Sequence, residues 1–135
     1  MSTIDYEALL SKAAEARDSA YAPYSHFTVG ACLLAQNGRL YTGCNVENAS
    51  YGATICAERV ALVKAISEGV HAFSALAIVG GDAGEAGTFC PPCGICRQVL
   101  SEFCEPTMPV VLLREGAVVV IPLGDLLPHA FKLED

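Results

Sequence analysis

Apolar and polar residues follow two different periods along this chain, and the two periods predict helices and strands. Over residues 4–20 the apolar positions recur at helical spacing with acidic residues near the start, which predicts an amphipathic helix ending before Pro23. Residues 27–34 and 40–44 are apolar segments separated by an Asn-Gly turn, so we expect them to pair as a β-hairpin. The chain is therefore expected to begin with a helix and a hairpin.

The rest of the chain alternates helices with short apolar strands. Helices are predicted over residues 55–67, where Gly69 would act as C-cap, and over residues 93–103. Residues 80–90 are expected to be loop-like, and residues 80–84 within them, which include three glycines, are interpreted as a flexible connection. Strands are predicted at 75–79, 110–113 and 118–121, followed by a short turn or helix at 123–127. The order αββαβαββ predicts one domain over residues 1–135, an α/β fold of three layers (α/β/α) with a five-stranded mixed sheet.

The composition narrows the class of protein. Hydrophobic residues make up 53% of the chain, which indicates a large core or apolar surface used in assembly. No apolar run approaches the roughly 18 residues of a membrane span, and the first residues lack the pattern of a signal peptide. A net charge of −7 with scattered basic residues argues against a nucleic-acid partner. Seven cysteines, an odd number, fit a reducing compartment, so we expect a cytoplasmic protein without a membrane partner.

Two short motifs carry the chemistry of this sequence. Cys56 and Glu58 are separated by one residue, and a Cys-x-x-Cys pair follows at Cys93 and Cys96, beginning 37 residues after Cys56. Three thiolates can hold one zinc ion and leave its fourth position open for water. A carboxylate two residues from a ligand is placed to move protons to and from that water. The motifs therefore predict a catalytic zinc site with one Zn²⁺ per chain, in which Glu58 is the catalytic residue.

The predicted helices explain how these residues can share one site. Both motifs fall at helix N-termini, which lower thiol pKa values and favour negative charge. Because residues two apart do not face each other along a helix, Cys56 and Glu58 can meet only at a helix end. Three thiolates and Zn²⁺ sum to one negative charge, which calls for a compensating cation. Arg59 and Arg97 each lie close in sequence to a ligand and are predicted to donate hydrogen bonds to thiolate sulfurs.

Two other interpretations of the cysteines stay open. Cys90 extends the pair to a C-x-x-C-x-x-C run, so Cys56 and this run could form a closed structural site with four cysteine ligands. A thioredoxin-like redox role for Cys93 and Cys96 would leave Cys56 and Glu58 unexplained. The remaining cysteines are interpreted as small core residues: Cys32, Cys44 and Cys104.

Longer blocks around these motifs resemble the small homotetrameric cytidine deaminases. The zinc motif matches the H-x-E and P-C-x-x-C signature of zinc deaminases, with Cys56 in place of the histidine. The blocks occur in order over nearly the whole chain: FTVGA at 27–31, GCNVENASY at 43–51, CAER at 56–59, PCGICRQ at 92–98 and LLPHAF at 126–131. The resemblance implies a cytidine deaminase-like fold and a homotetramer with shared active sites.

The resemblance also implies substrate-binding roles. Phe27 is expected to pack against the pyrimidine ring, and Asn45 and Glu47 to bind ribose hydroxyls. The backbone at Ala57 is expected to contact the base, and Ala49 is expected among the residues that bind substrate. Taken without the resemblance, Phe27 could be a core residue, Asn45 an ordinary turn residue and Glu47 a solvated charge.

Two aromatic residues are expected to act across a subunit boundary. The resemblance places Tyr51 at the ribose of a neighbouring subunit and Phe131 over a neighbour's pocket. The alternative for Phe131 is a tail residue folded onto its own subunit. If the resemblance holds, each active site is completed by residues of more than one chain.

The activity that the resemblance implies is zinc-dependent hydrolytic deamination of cytidine and 2′-deoxycytidine in pyrimidine salvage. A deaminase for another cytosine compound, such as blasticidin S, shares the cysteine motifs but lacks the ribose pair of Asn45 and Glu47. A zinc-stabilised interaction module is the alternative without catalysis. Ammonia release distinguishes that module from either enzyme.

Overall fold

The five strands form one mixed sheet in the computed structural model, which describes residues 3–133. The strands are β1 Phe27–Ala35, β2 Leu40–Cys44, β3 Phe73–Asp82, β4 Pro109–Arg114 and β5 Ala117–Pro122. The helices are α1 Tyr6–Ala16, α2 Ala57–Ser67, α3 Gly94–Phe103 and α4 Leu123–Leu126, with short 3-10 turns at Arg17–Ser19 and Tyr51–Ala53. Among the described residues no helix is both long enough and apolar enough to cross a bilayer.

The order of strands in the sheet is β2-β1-β3-β4-β5. The β3–β4 pair is parallel, and the other neighbouring pairs are antiparallel. A parallel pair needs a crossover connection, and α3 provides it between β3 and β4. The predicted five-stranded mixed sheet is confirmed.

Helices cover both faces of the sheet, which gives the predicted three layers. Ala31 and Leu33 of β1 are buried in the cluster that contains α2 and α3, whereas Cys32 between them is buried in the cluster that contains α1. This alternation is the period of two that a strand imposes on its side chains. At Gly30 a Cβ atom would lie 1.9 Å from the Ala13 carbonyl oxygen, so α1 can pack this closely only over a glycine.

The helix termini differ slightly from the predicted bounds. The first helix begins after Asp5, whose Oδ1 accepts a hydrogen bond from the Ala8 backbone N–H at 3.0 Å and caps the helix. Helix α2 begins at Ala57 with Cys56 as N-cap, and α3 begins at Gly94 with Cys93 as N-cap. The first cysteine of each motif therefore stands just outside its helix.

The prediction of a flexible connection over residues 80–84 is wrong at its start, because β3 continues to Asp82. Glycine and aspartate are disfavoured in strands, which is why the sequence pattern ended this strand at Val79. A Cβ atom at Gly80 would lie 2.6 Å from the Cys90 sulfur, so the strand uses glycine to let the following segment approach. Thr88 returns to pair with Gly80, which fixes the path towards α3.

Candidate metal centre and active site

The N-termini of α2 and α3 bring three cysteine sulfurs together. Cys56, Cys93 and Cys96 each offer a sulfur, and these three atoms all lie within 4.8 Å of one another. The sulfurs of Cys56 and Cys93 are 3.6 Å apart. The Cys93 sulfur also accepts a hydrogen bond from the Cys96 backbone N–H at 3.4 Å, which ties the first turn of α3 to its N-cap.

This sulfur triangle fits a zinc ion. Zinc–sulfur bonds of about 2.3 Å at tetrahedral angles place sulfurs about 3.8 Å apart, close to the observed 3.6 Å between Cys56 and Cys93. Cys90 does not belong to the group of sulfurs close enough to share one ion. Its side chain instead lies over Gly80 of β3. The geometry thus favours three protein ligands over the closed site of four cysteines.

Arg59 supplies positive charge to this triangle. Its Nε donates a hydrogen bond to the Cys96 sulfur at 3.3 Å, and its Nη2 donates to the Cys56 sulfur at 3.7 Å. The pKa of the Cys56 thiol is lowered to about 5, chiefly because Cys96 donates a hydrogen bond to it and also because of Arg59. Cys96 keeps the shared proton, so its own pKa is raised. Arg59 therefore stabilises thiolate at two of the three sulfurs, as its spacing from Cys56 predicts.

Arg97 does not contact sulfur, and the prediction that it would is wrong. Its Nε donates to the Pro92 carbonyl oxygen at 2.7 Å, and its Nη1 donates to the Leu126 carbonyl oxygen at 2.8 Å. Consecutive helix residues point about 100° apart around the axis, so a side chain directly after Cys96 is directed away from the sulfur. Arg97 therefore contacts the backbone around the site rather than the sulfurs themselves.

Glu58 lies beside the cluster in the first turn of α2 and is 4% exposed. Burial raises the pKa of its carboxyl to about 7, and the negative charge at Cys56 contributes in the same direction. A carboxyl buried next to three thiols is unusual for a structural residue, because such groups are seldom buried without a charged partner. The arrangement can hold or release a proton beside the position where the three sulfurs would bind a metal ion.

A cavity of about 170 Å³ lies between the sulfur cluster and Val29 of β1. It is lined by Val29, Asn45, Thr54, Ile55, Cys56, Ala57, Glu58, Cys90, Pro91 and Cys93. A larger cavity of about 280 Å³ lies under the C-terminal segment, away from the cluster and from Glu58. We place the active site in the smaller cavity because it contains the carboxyl and two of the three clustered cysteines.

Asn45 and Glu47 hold the backbone at and just before the start of β1. The Asn45 side chain accepts from the Val29 N–H and donates to the Phe27 carbonyl oxygen, both at 2.8 Å. Glu47 accepts hydrogen bonds from the backbone N–H of Tyr24 at 2.9 Å and of Ser25 at 3.2 Å, and from the Ser25 hydroxyl. The Ser25 hydroxyl holds the pKa of Glu47 below its usual value, with backbone donors assisting. Asn45 still has a free N–H and a free lone pair for a ligand.

The other residues expected to bind substrate lie at different depths. Ala57 is fully buried at the start of α2, and Phe27 is half-buried at the start of β1, outside both core clusters. Ala49 is exposed, and so are Tyr51 at 78% and Phe131 at 68%. Cys56, Cys93, Glu58, Ala57 and Asn45 thus line one cavity, whereas Tyr51 and Phe131 are exposed to solvent on a single chain.

Sequence reasoning missed several residues of this site. Tyr24 and Ser25 are the partners of Glu47, and Tyr24 also meets the ring of Tyr51 edge-on with centroids 6.2 Å apart. Ser25 and Glu47 are 22 residues apart, and a contact between a turn and such a distant carboxylate produces no periodic pattern in the sequence. The sequence suggests a role for Cys90 only in the alternative site with four cysteine ligands, whereas the structure places Cys90 in the cavity wall.

Three thiols and a buried carboxyl at adjacent helix N-termini are the arrangement of zinc deaminases that act on bases. The family described as the cytidine and deoxycytidylate deaminase zinc-binding region matches residues 3–112. The chain belongs to this family.

Similar proteins support the assignment over the full length. A cytidine deaminase of Sporosarcina psychrophila is 48% identical over 133 residues, covering 98% of this chain and 95% of the relative. A cytidine deaminase of Mycobacterium tuberculosis is 45% identical over 135 residues, covering 100% and 96%. The crystal structure of cytidine deaminase from Burkholderia pseudomallei superimposes with a TM-score of 0.86 at 49% identity, covering 95% of this chain and 100% of that one.

Proposed function

We propose that this protein catalyses the hydrolytic deamination of cytidine and 2′-deoxycytidine, forming uridine and 2′-deoxyuridine and releasing ammonia. The observation that carries the proposal is the cluster of three cysteine sulfurs together with the buried Glu58 carboxyl, which lines one cavity with two of those cysteines. Relatives named cytidine deaminase, aligned over almost the whole chain, support the same activity. The substrate is a small nucleoside, consistent with a chain of net charge −7 that has eight lysine and arginine residues in all.

The metal centre in this proposal consists of Cys56, Cys93 and Cys96 with one Zn²⁺ per chain. The zinc ion, when bound, would supply the Lewis acidity that makes water a nucleophile near neutral pH. Arg59 offsets the negative charge of the thiolates through its hydrogen bonds to two of the sulfurs. The helix N-termini at Cys56 and Cys93 act in the same direction.

Glu58 performs the proton transfers. Its carboxylate takes a proton from the attacking water and delivers it to the ring nitrogen next to C4. It then takes the proton of the new hydroxyl group on C4, which becomes the carbonyl, and delivers it to the departing amine. Water attacks C4, the C4–N bond to the amine breaks, and ammonia leaves, so atoms and charge balance. Burial of Glu58 keeps bulk water from competing for this proton.

The nucleoside is held by residues above the metal centre. Phe27 packs against the pyrimidine, and the backbone at Ala57 contacts its polar edge. Asn45 and Glu47 bind ribose hydroxyls, since Asn45 keeps unused hydrogen-bonding capacity and Glu47 carries a stabilised negative charge. Ala49 belongs to the same substrate-binding segment, between Glu47 and Tyr51.

The functional unit is a homotetramer with shared active sites. The cavity of about 170 Å³ is smaller than the roughly 300–1,000 Å³ of usual small-molecule sites, so one chain does not enclose a nucleoside. Tyr51 and Phe131 are exposed aromatic residues that a neighbouring chain would cover. In the tetramer these two residues would complete the pockets of neighbouring chains.

We assign this activity to pyrimidine salvage in the cytoplasm. Seven free cysteines support a reducing compartment, because oxidising compartments convert such thiols to disulfides. Salvage follows from the reaction itself, which returns cytosine nucleosides to the uracil series.

A substrate panel tests the proposal. The zinc-loaded protein is incubated with cytidine, 2′-deoxycytidine, cytosine and blasticidin S, and both cytosine absorbance and released ammonia are followed. We expect rapid loss of both nucleosides and little reaction with cytosine or blasticidin S. A zinc-loaded protein that releases no ammonia from any of them would be an interaction module instead.

A further inference from the structure

Arg97 joins two parts of the chain that are far apart in sequence. One guanidinium donates to the carbonyl oxygens of Pro92 at 2.7 Å and of Leu126 at 2.8 Å. Pro92 directly precedes Cys93, and Leu126 is the last residue of α4. The segment that carries Cys93 is therefore connected to α4. Arg97 and Leu126, which form this connection, are 29 residues apart in the sequence.

Neither carbonyl can be satisfied by its own helix. Pro92 lies before the N-cap of α3, and Leu126 ends α4, where carbonyl groups lack intrahelical donors. Pro92 is fully buried, so bulk water does not reach its carbonyl as a substitute for Arg97. Buried backbone carbonyls are almost always paired, and the guanidinium provides this pairing with two donors in a fixed planar geometry.

The backbone of Arg97 strengthens the same connection. Its N–H donates to the Cys93 carbonyl oxygen at 2.9 Å, so side chain and backbone together bind two successive residues ahead of α3. The Cys93 sulfur in turn accepts from the Cys96 N–H. The positions of the Cys93 and Cys96 sulfurs, at the N-terminal end of α3, therefore depend on the hydrogen bonds that fix residues 92–97.

We propose that Arg97 is a positioning residue for the metal centre, which it serves by bracing the Pro92 carbonyl against the C-terminal end of α4. This inference rests on the proposed zinc site but not on the proposed reaction. It assigns to α4 a part in supporting the metal centre, although α4 carries none of the three clustered cysteines.

The adjacent residue Gln98 offers a matched control. Its Nε2 donates to the Phe131 carbonyl oxygen at 3.2 Å, and Lys132 Nζ donates to the Ser101 carbonyl oxygen at 2.9 Å. These bonds attach the C-terminal segment to α3 further along the chain than Leu126. Loss of the Gln98 bond loosens that segment while leaving both Arg97 contacts in place.

The test is a zinc competition against a chelator of known affinity, applied to the full-length zinc-loaded protein and three variants. Removing a group that orients a metal ligand costs roughly 10- to 100-fold in affinity, and we expect this loss for Arg97→Leu. Arg97→Lys keeps the charge but cannot span two carbonyls, so we expect an intermediate loss. Gln98→Leu should match the wild type.

Three results would overturn the proposal. Unchanged zinc affinity in Arg97→Leu would show that Arg97 does not position the metal centre. Wild-type zinc affinity in Arg97→Lys would show that only the positive charge matters, not the contact with two carbonyls. Equal losses in Gln98→Leu and Arg97→Leu would indicate a general loosening of α3. If Arg97→Leu does not fold, the comparison of Arg97→Lys with Gln98→Leu decides. Ammonia release from cytidine is measured separately on the wild type, so failure of the proposed reaction leaves the zinc result intact.

Discussion

The two halves of the proposed active site are built in different ways. The metal half is held within one chain by helix N-termini, by Arg59 on the sulfurs and by burial of Glu58. The outer half contains Glu47 in a hydrogen-bonded turn, but its aromatic members Tyr51 and Phe131 project into solvent. The reacting groups are thus fixed by one chain, whereas enclosure of the substrate is left to other chains in the proposed assembly.

This division has a physical reason. Proton transfer and metal binding need side chains held to fractions of an ångström, and helices inside a packed core provide that rigidity better than loops do. Enclosing a nucleoside requires the site to open for exchange, which surface segments permit. The following predictions test whether the two halves respond to mutation in these different ways.

The largest effect is expected from removing a metal ligand. Cys96→Ala leaves two of the three clustered sulfurs, too few for the proposed site, so it should lose zinc and all measurable turnover. Cys90→Ala should keep both, because Cys90 lies in the cavity wall outside the sulfur group. Metal content by elemental analysis and ammonia release give the two readouts. Loss of zinc in Cys90→Ala would restore the closed site of four cysteines.

The next largest effect is expected from Glu58→Gln. The amide keeps the size of the side chain but cannot accept a proton, so turnover should fall roughly 10²- to 10⁴-fold. Zinc content should remain at the wild-type level, since Glu58 is not among the three clustered sulfur donors. Stopped assays with cytidine under saturating conditions measure this loss. Turnover within a factor of two of the wild type would exclude Glu58 from the proton transfers.

The metal half could be predicted from the sequence better than the outer half. Arg59 and Arg97 show where that prediction succeeded and where it failed. Arg59 follows the N-cap Cys56 by three residues, a spacing that puts neighbours on one side of a helix, and it contacts sulfur as expected. Adjacency to Cys96 predicts a sulfur contact for Arg97, but consecutive side chains on a helix point in different directions. Helical geometry applied to both arginines would have predicted both outcomes.

Contacts that depend on tertiary structure could not be predicted in the same way. The fold class followed from hydrophobic periodicity, yet the continuation of β3 through Gly80 depends on the approach of Cys90 from a later segment. Likewise, Tyr24 and Ser25 meet Glu47 only once β1 and the segment after β2 lie side by side. Local sequence propensity predicts neither of these contacts, because both join residues that are distant in sequence.

A smaller effect, confined to the outer half, is expected from Glu47→Gln. If Glu47 binds a ribose hydroxyl, loss of its charge should reduce kcat/KM for cytidine roughly 10- to 100-fold, the range for a hydrogen bond to a charged group. The analogue that lacks this hydroxyl, 3′-deoxycytidine, should be turned over slowly and equally by both proteins. Zinc content should not change. Equal losses on both substrates would mean that Glu47 only supports the turn at Tyr24 and Ser25.

The smallest single effect is expected from Tyr51→Ala, which removes an aromatic contact at the edge of a neighbour's site. We expect kcat/KM for cytidine to fall about 10-fold, equivalent to about 1.4 kcal/mol. Light scattering should give a mass near four chains for the wild type, that is, near four times 14.1 kDa.

Mixed assemblies then test the boundary between the halves directly. Chains with Glu58→Gln keep Tyr51, and chains with Tyr51→Ala keep Glu58, so a tetramer containing both has some sites with both intact residues. If Tyr51 acts on a neighbouring chain, co-expressed tagged and untagged variants purified as mixed tetramers should exceed the averaged activity of the separate proteins. If Tyr51 acts within its own chain, every site in the mixture lacks one residue and the activity equals that average. An activity above that average therefore shows that neighbouring chains share the outer half, and an activity equal to it shows that a single chain completes its own site.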